Sequence, residues 1–176
     1  MDKTALLKEK IADAEVVLIG IGEEFNERFD NISDHSQLLE GLNKVDENEG
    51  LSWLVPFFEK IYLDEQQDSD ILQAYRNLYE LVKDKNYYIV TTCIDGLIEK
   101  VGFKEDKIVE PCGNYNKMQC SAKCSTKLYD SKDYVDHIKE ALAKKKLDGL
   151  QRPVCPDCGK PLTFNNIVCE NYAEEE

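Results

Sequence analysis

Apolar positions in this chain recur with two different periods, and their order along the sequence predicts the elements. Residues 3–14 set Leu6, Leu7 and Ile11 on one helical face. Val16-Val17-Leu18-Ile19 is then an unbroken apolar run closed by Gly20-Ile21-Gly22. Such a run suits a strand buried on both faces, the habit of parallel sheets. Residues 23–50 are polar, with Phe25, Phe29 and Leu38 as scattered anchors, and predict helical patches without readable boundaries. Residues 51–63 carry Leu51, Trp53, Leu54, Phe57, Phe58, Ile61 and Tyr62 and predict a buried helix with Pro56 near its start. A loop over 64–70 precedes an amphipathic helix over 71–84, built on Ile71, Leu72, Tyr75, Leu78, Tyr79 and Val82. Tyr87 to Thr92 is rich in β-formers. A short helix through Leu97 and Ile98 stops at Gly102, and Lys107 to Glu110 is a third strand candidate. After Cys112 the segments become short and turn-rich around one clear helix over 131–146.

Strand, helices, strand, helix, strand is α/β order and predicts a parallel sheet with crossover helices. The length of 176 residues fits one domain with a small inserted or appended module. A formal charge of −13 argues against a nucleic-acid binder, which needs a basic face for phosphates. No apolar stretch approaches the roughly 18–20 residues that cross a bilayer. Met1-Asp2-Lys3-Thr4 lacks the layout of a secretion signal, so no membrane partner and a cytoplasmic, soluble protein are expected. The tail Ala173-Glu174-Glu175-Glu176 is expected to be solvated.

In a reducing compartment the seven cysteines need another explanation than disulfides. Cys120-Ser-Ala-Lys-Cys124 and Cys155-Pro-Asp-Cys158-Gly159 are two chelating pairs thirty residues apart. Each pair can sit in a tight turn with both sulfurs inward, and two such turns complete a tetrahedron around Zn²⁺. Four thiolates with no open position describe a structural site whose metal contributes folding energy. Cys169 stands outside the pairs and reads as a buried structural thiol, while His137 reads as solvent-facing. Trp53, Phe57 and Phe58 read as core.

Gly20-Ile21-Gly22 at a strand end could open a phosphate-binding turn, with backbone N–H groups near a pyrophosphate at a helix N-terminus. The third glycine of the dinucleotide fingerprint is absent, and Glu23 and Glu24 follow at once. A glycine turn followed by a well-capped helix explains the same residues, since carboxylates favour a first helical turn.

Taken together, Ala12-Asp-Ala-Glu-Val-Val-Leu-Ile-Gly-Ile-Gly22, Thr91-Thr-Cys-Ile-Asp95, Glu110-Pro-Cys-Gly113 and the two cysteine pairs resemble the sirtuins. These are NAD-dependent protein deacylases and ADP-ribosyltransferases. Leu81-Val-Lys-Asp-Lys-Asn-Tyr-Tyr88 and Lys117-Met-Gln-Cys-Ser-Ala-Lys-Cys124 resemble the macrodomain-linked microbial class in particular.

The resemblance implies a Rossmann-like NAD-binding domain over 1–30 and 84–113, a helical insertion over 31–83, and a zinc-ribbon module with a tail over 114–176. It implies NAD and Zn²⁺ as cofactors and acyl-lysine or another protein substrate as partner. By motif, Gly20, Ile21 and Gly22 line the pyrophosphate, and Thr92, Cys93 and Asp95 face the nicotinamide and ribose. Position 112 holds the general base, so Cys112 and Asp95 are the catalytic candidates. The family's loop serine is Glu24 here, its glutamine and asparagine are Thr92 and Cys93, and its base histidine is Cys112. These replacements define the alternative, a zinc-stabilised interaction module without the chemistry. A zinc ribbon joined to an unrelated α/β domain is the third reading. The family continues beyond the zinc module with strands and helices that complete the sheet, which implies either a truncated chain here or an open sheet edge that a partner covers.

Overall fold

Three parallel strands run in the order β1 (Val16–Ile21), β2 (Asn86–Thr91) and β3 (Ile108–Val109) in the computed structural model. The model describes residues 2–169 and 171–173, so the end of the acidic tail lies outside the described residues. Leu18 stands beside Tyr88, and Val90 beside Val109. Among the described residues there are five α-helices: α1 (Lys3–Asp13), α2 (Ser36–Glu47), α3 (Val55–Glu65), α4 (Asp70–Val82) and α5 (Lys132–Ala143). Their starts have local causes. The Asp2 carboxylate caps α1 by accepting from the Thr4 N–H, the Ser69 hydroxyl caps α4 through Leu72, and Pro56 occupies the first turn of α3, where no N–H is needed.

A second sheet is antiparallel, with β4 (Gly113–Cys120) between β5 (Tyr129–Asp130) and β6 (Leu162–Asn166). The helical segment between β1 and β2 divides between two cores. Leu72, Tyr75 and Val82 of α4 pack with Tyr87, Ile89, Leu97 and Phe103 beside the parallel sheet. Leu38 of α2 and Phe57, Phe58 and Ile61 of α3 instead join Val135, Ile138 and Leu142 of α5 and Met118 and Phe164 of the antiparallel sheet. Buried Lys60 ties α3 to β4, donating to Asp64 Oδ1 and to Asn116 Oδ1 at 2.7 Å each.

The expectation that β1 is buried on both faces is corrected. Val17, Ile19 and Ile21 turn toward α4, whereas Val16 and Leu18 are 53% and 75% exposed. Uniform hydrophobicity along Val16–Ile19 cannot reveal which face has a cover. The well-capped helix expected after Gly22 is also corrected, to a single 3-10 turn over Glu23–Phe25. Its continuation is diverted by other bonds. The Asn26 side chain accepts from the Ile94 N–H at 2.7 Å, and the Glu27 N–H donates to Asp95 at 2.8 Å. Cys169 is half-buried rather than buried, while His137 is exposed as expected.

One ionisable contact between α3 and β4 makes a pH prediction. The Tyr115 hydroxyl donates to Glu59 Oε2 at 2.7 Å, and burial pushes the Glu59 carboxyl above its usual value of 4.5 despite that bond. A carboxyl with a raised folded pKa contributes stability that is fully present below the unfolded pKa and is lost as pH rises through the folded value. Glu59→Gln keeps an acceptor for Tyr115 but cannot ionise. Its urea midpoint should fall less than the wild-type midpoint between pH near 4.5 and neutrality; parallel profiles would refute the assignment.

Candidate functional site

The ends of β1 and β2 meet in one knot of hydrogen bonds. The Thr92 N–H donates to the Ile21 carbonyl at 3.0 Å, and the Cys93 thiol donates to the Gly22 carbonyl at 3.2 Å. The Cys93 N–H is held by Thr91 Oγ1 at 3.1 Å. Asp95 is buried, and its two carboxylate oxygens accept from the Glu27 N–H at 2.8 Å and the Leu97 N–H at 2.9 Å. Burial nevertheless pushes the Asp95 carboxyl above its ordinary range, outweighing those bonds. Burial likewise pushes the Cys93 thiol up, which suits a structural donor rather than a nucleophile. Thus the structure brings the 20–22 segment, through Ile21 and Gly22, against the 92–95 segment, through Thr92 and Cys93, two segments about seventy residues apart.

Cys112 stands apart from them. It occupies the turn before β4, half-buried, with its carbonyl accepting from the Ile167 N–H at 2.9 Å. Among the described residues no hydrogen bond joins it to the 20–22 or 92–95 segments. The link is indirect: the Tyr115 N–H, three residues on, donates to the Ile94 carbonyl at 3.0 Å. A cleft of about 770 Å³ passes beside this turn, lined by Phe103, Ile108, Glu110, Gly113 and Tyr172 among others.

The glycine turn does not have the form of a dinucleotide loop. Gly22 has φ of −88°, which any residue adopts, so its small size rather than its backbone freedom is what matters. A Cβ on Gly22 would lie 2.3 Å from Oε2 of Glu24, so the carboxylate of Glu24 folds back directly over the glycine. Gly20 is different, with nothing within 4 Å of the place its Cβ would take. Space is therefore open on the sheet face at Gly20, whereas at Gly22 the Glu24 carboxylate covers the place a Cβ would take.

The four cysteines of the two pairs converge. Their sulfurs all lie within 4.8 Å of one another, with Cys120 to Cys158 and Cys124 to Cys155 at 3.5 Å. A tetrahedral zinc with Zn–S bonds of about 2.3 Å sets its sulfurs roughly 3.8 Å apart, so the donor set fits. Cys120 ends β4, and Cys155 sits in a knuckle closed by its N–H to the Lys160 carbonyl at 2.7 Å. Gly159 takes φ of +71°, the left-handed turn expected after the second pair. Cys120 and Cys155 are buried in the α3–α5 core, while Cys124 and Cys158 are exposed.

Several side chains that build the site carry no motif. Asn26 anchors the Ile94 N–H, and Asn116 reaches both Lys60 and the Gly96 carbonyl. Gly96 has φ of +69°, and a Cβ there would meet the Asn116 amide at 2.5 Å. Only the glycine itself was a readable signal; the asparagines act across the fold.

No family model matches the chain. A protein ADP-ribosyltransferase of Staphylococcus aureus (strain Mu50 / ATCC 700699) is 25% identical over 180 residues, covering 94% of this chain and 57% of the relative. A solved structure described as the structural basis for the mechanism and regulation of Sir2 enzymes matches with a TM-score of 0.56 at 16% identity, over 99% of this chain and 65% of that one. A Sir2–p53 peptide–NAD+ complex matches with a TM-score of 0.52 at 19% identity, over 98% of this chain and 66% of that one. The chain therefore spans 57% of the length of the curated relative and about two thirds of the solved chains.

Proposed function

The chain has the sirtuin fold, and from that premise we propose that it is the zinc-bearing part of an NAD-dependent protein modifier. Its reaction is transfer of ADP-ribose to a protein or removal of an acyl group from lysine. The observation that carries this reading is the meeting of Ile21 and Gly22 with Thr92 and Cys93, with the buried Asp95 carboxylate two residues further on, held by the Glu27 and Leu97 N–H groups. The naming of the Staphylococcus aureus relative favours the ADP-ribosyl arm.

NAD, when bound, supplies a glycosidic bond to nicotinamide whose cleavage delivers ADP-ribose. The chain's own residues divide the remaining work. The backbone of Gly20, Ile21 and Gly22 faces the pyrophosphate, and this end fits only if the exposed Glu24 side chain swings off Gly22. Asp95 orients ribose hydroxyls: each of its oxygens accepts one backbone N–H and keeps a second lone pair. Thr92 and Cys93 close the loop beside it. By motif Cys112 would hold the base position, although it stands apart from the Gly20–Asp95 segments, in the turn beside the cleft past Gly113. Cys120, Cys124, Cys155 and Cys158 hold Zn²⁺ as a structural ion, remote from the chemistry. A protein substrate is favoured by the peptide in the Sir2–p53 peptide–NAD+ complex.

The second reading, a zinc-stabilised interaction module without turnover, draws on one specific observation, the Glu24 carboxylate over Gly22. Nicotinamide release from NAD, measured by chromatography with acyl-lysine peptides and protein acceptors, separates the two. Slow release is expected from the zinc-loaded wild type and none from Asp95→Asn. Removing the charge in Glu24→Ser should tighten ADP-ribose binding about tenfold by ending a close like-charge contact with phosphate. Release absent from wild type and Glu24→Ser alike would favour the module.

A further inference from the structure

Four thiolates around a divalent ion carry an excess of negative charge that their surroundings must stabilise. The sulfurs of exposed Cys124 and Cys158 are open to water, but Cys120 and Cys155 are 0% and 1% exposed and need donors from the protein. The backbone supplies some of them. The Ala122 and Cys124 N–H groups support the Cys120 sulfur, and those of Asp157 and Cys158 support Cys155. Cys155 has one neighbour more. The Tyr129 hydroxyl lies 3.7 Å from its sulfur, and among the described residues no other side chain outside the four cysteines hydrogen-bonds to one of these sulfurs.

Tyr129 is held for this contact from two sides. It sits on β5 opposite Met118 of β4, two residues before Cys120, and the Lys127 ammonium is 5.0 Å from the centre of its ring. A cation on the ring draws electron density from the phenol and makes its O–H a stronger donor. The hydroxyl has one proton and two acceptors in reach, the Cys155 sulfur and Asp157 Oδ2 at 3.3 Å. A metal-bound thiolate keeps no proton, so between sulfur and hydroxyl the hydroxyl is the donor.

We propose that Tyr129 is a positioning residue of the metal site, donating its hydroxyl to the Cys155 sulfur and so tightening the hold on the ion. The inference rests on the reading that the four cysteines hold zinc, and it is independent of whether the chain binds NAD.

The test uses the full chain, Zn²⁺ and Co²⁺ as probes, and Tyr129→Phe, which keeps the ring and removes the hydroxyl. Competition against a chromophoric chelator should show zinc binding about tenfold weaker in the variant, the low end for a lost bond to a metal ligand because Asp157 shares the proton. In the cobalt-loaded protein the sulfur-to-metal charge-transfer band should move to lower energy, since a sulfur without its hydrogen bond gives up electrons more readily. The Tm should fall in the metal-loaded variant and stay unchanged in the metal-free one, because weaker metal binding lowers stability only when metal is present. Equal zinc affinity with an unshifted band would overturn the proposal and leave the four-cysteine site standing. A loss of Tm as large without metal as with it would also overturn it, marking the hydroxyl as part of the packing alone. Wild-type chain that takes up neither ion would overturn both the site and this role.

Discussion

Cys155→Ser releases the metal and loosens the whole lobe built on β4, β6 and α5, with a loss of roughly 3–5 kcal/mol of stability. The size follows from where the four sulfurs sit. Cys120 ends β4 and Cys155 opens the knuckle that leads into β6, so an ion held there would close the antiparallel sheet at one end. The Leu162 N–H to the Pro153 carbonyl at 2.8 Å and the Val154–Pro161 bridge belong to the same knuckle. Both Cys120 and Cys155 are buried in the core that also holds Phe57, Met118 and Ile138. Without metal, four sulfurs as close as 3.5 Å must stay protonated or repel, and the knuckle loses its tie. Elemental analysis with urea unfolding checks the prediction. One zinc per chain in the wild type, none in the variant and a lower midpoint are expected; unchanged metal content and midpoint would remove the four-cysteine site.

Gly113→Ala is the second large effect, about 3 kcal/mol or more, because strain and collision add at one atom. Gly113 takes φ of +61°, and a Cβ there would lie 2.1 Å from the Asn165 carbonyl oxygen and 2.9 Å from the Tyr172 ring. Relief requires β4 and β6 to part where Gly113 pairs with Asn166, next to the Cys112 turn. Gly159→Ala is the control: φ is +71°, but nothing lies within 4 Å of its Cβ position. That variant should lose only about 1 kcal/mol, the cost of the left-handed conformation by itself. Urea midpoints of the two variants measure the difference, and equal losses would show that the close β4–β6 approach is not what holds Gly113.

Where period and burial agree, the fold was legible. Leu72, Tyr75 and Val82 read as a helix face because α4 has one covered side, and Tyr87 to Thr91 reads as a strand because alternate residues are buried. The convergence of the four cysteines was legible because chelating pairs show as short local spacing, two cysteines in each turn. Three things were not. Val16–Ile19 is apolar on both faces, so its pattern could not show that Leu18 lies open. Instead of a helix after Gly22, the Glu27 N–H goes to the Asp95 carboxylate and the Asn26 side chain accepts from the Ile94 N–H, partners nearly seventy residues away. The Glu24 carboxylate was visible as a charge near the glycine turn, but its position over Gly22 depends on a side-chain direction that no spacing encodes.

The most direct test of the account is calorimetric titration of ADP-ribose into the zinc-loaded chain and into its Glu24→Ser variant. The account predicts saturable binding in both, tighter in the variant, and displacement of ADP-ribose by NAD. Heats no larger than dilution in both proteins would contradict it and leave Gly20–Gly22 as a strand end with no ligand.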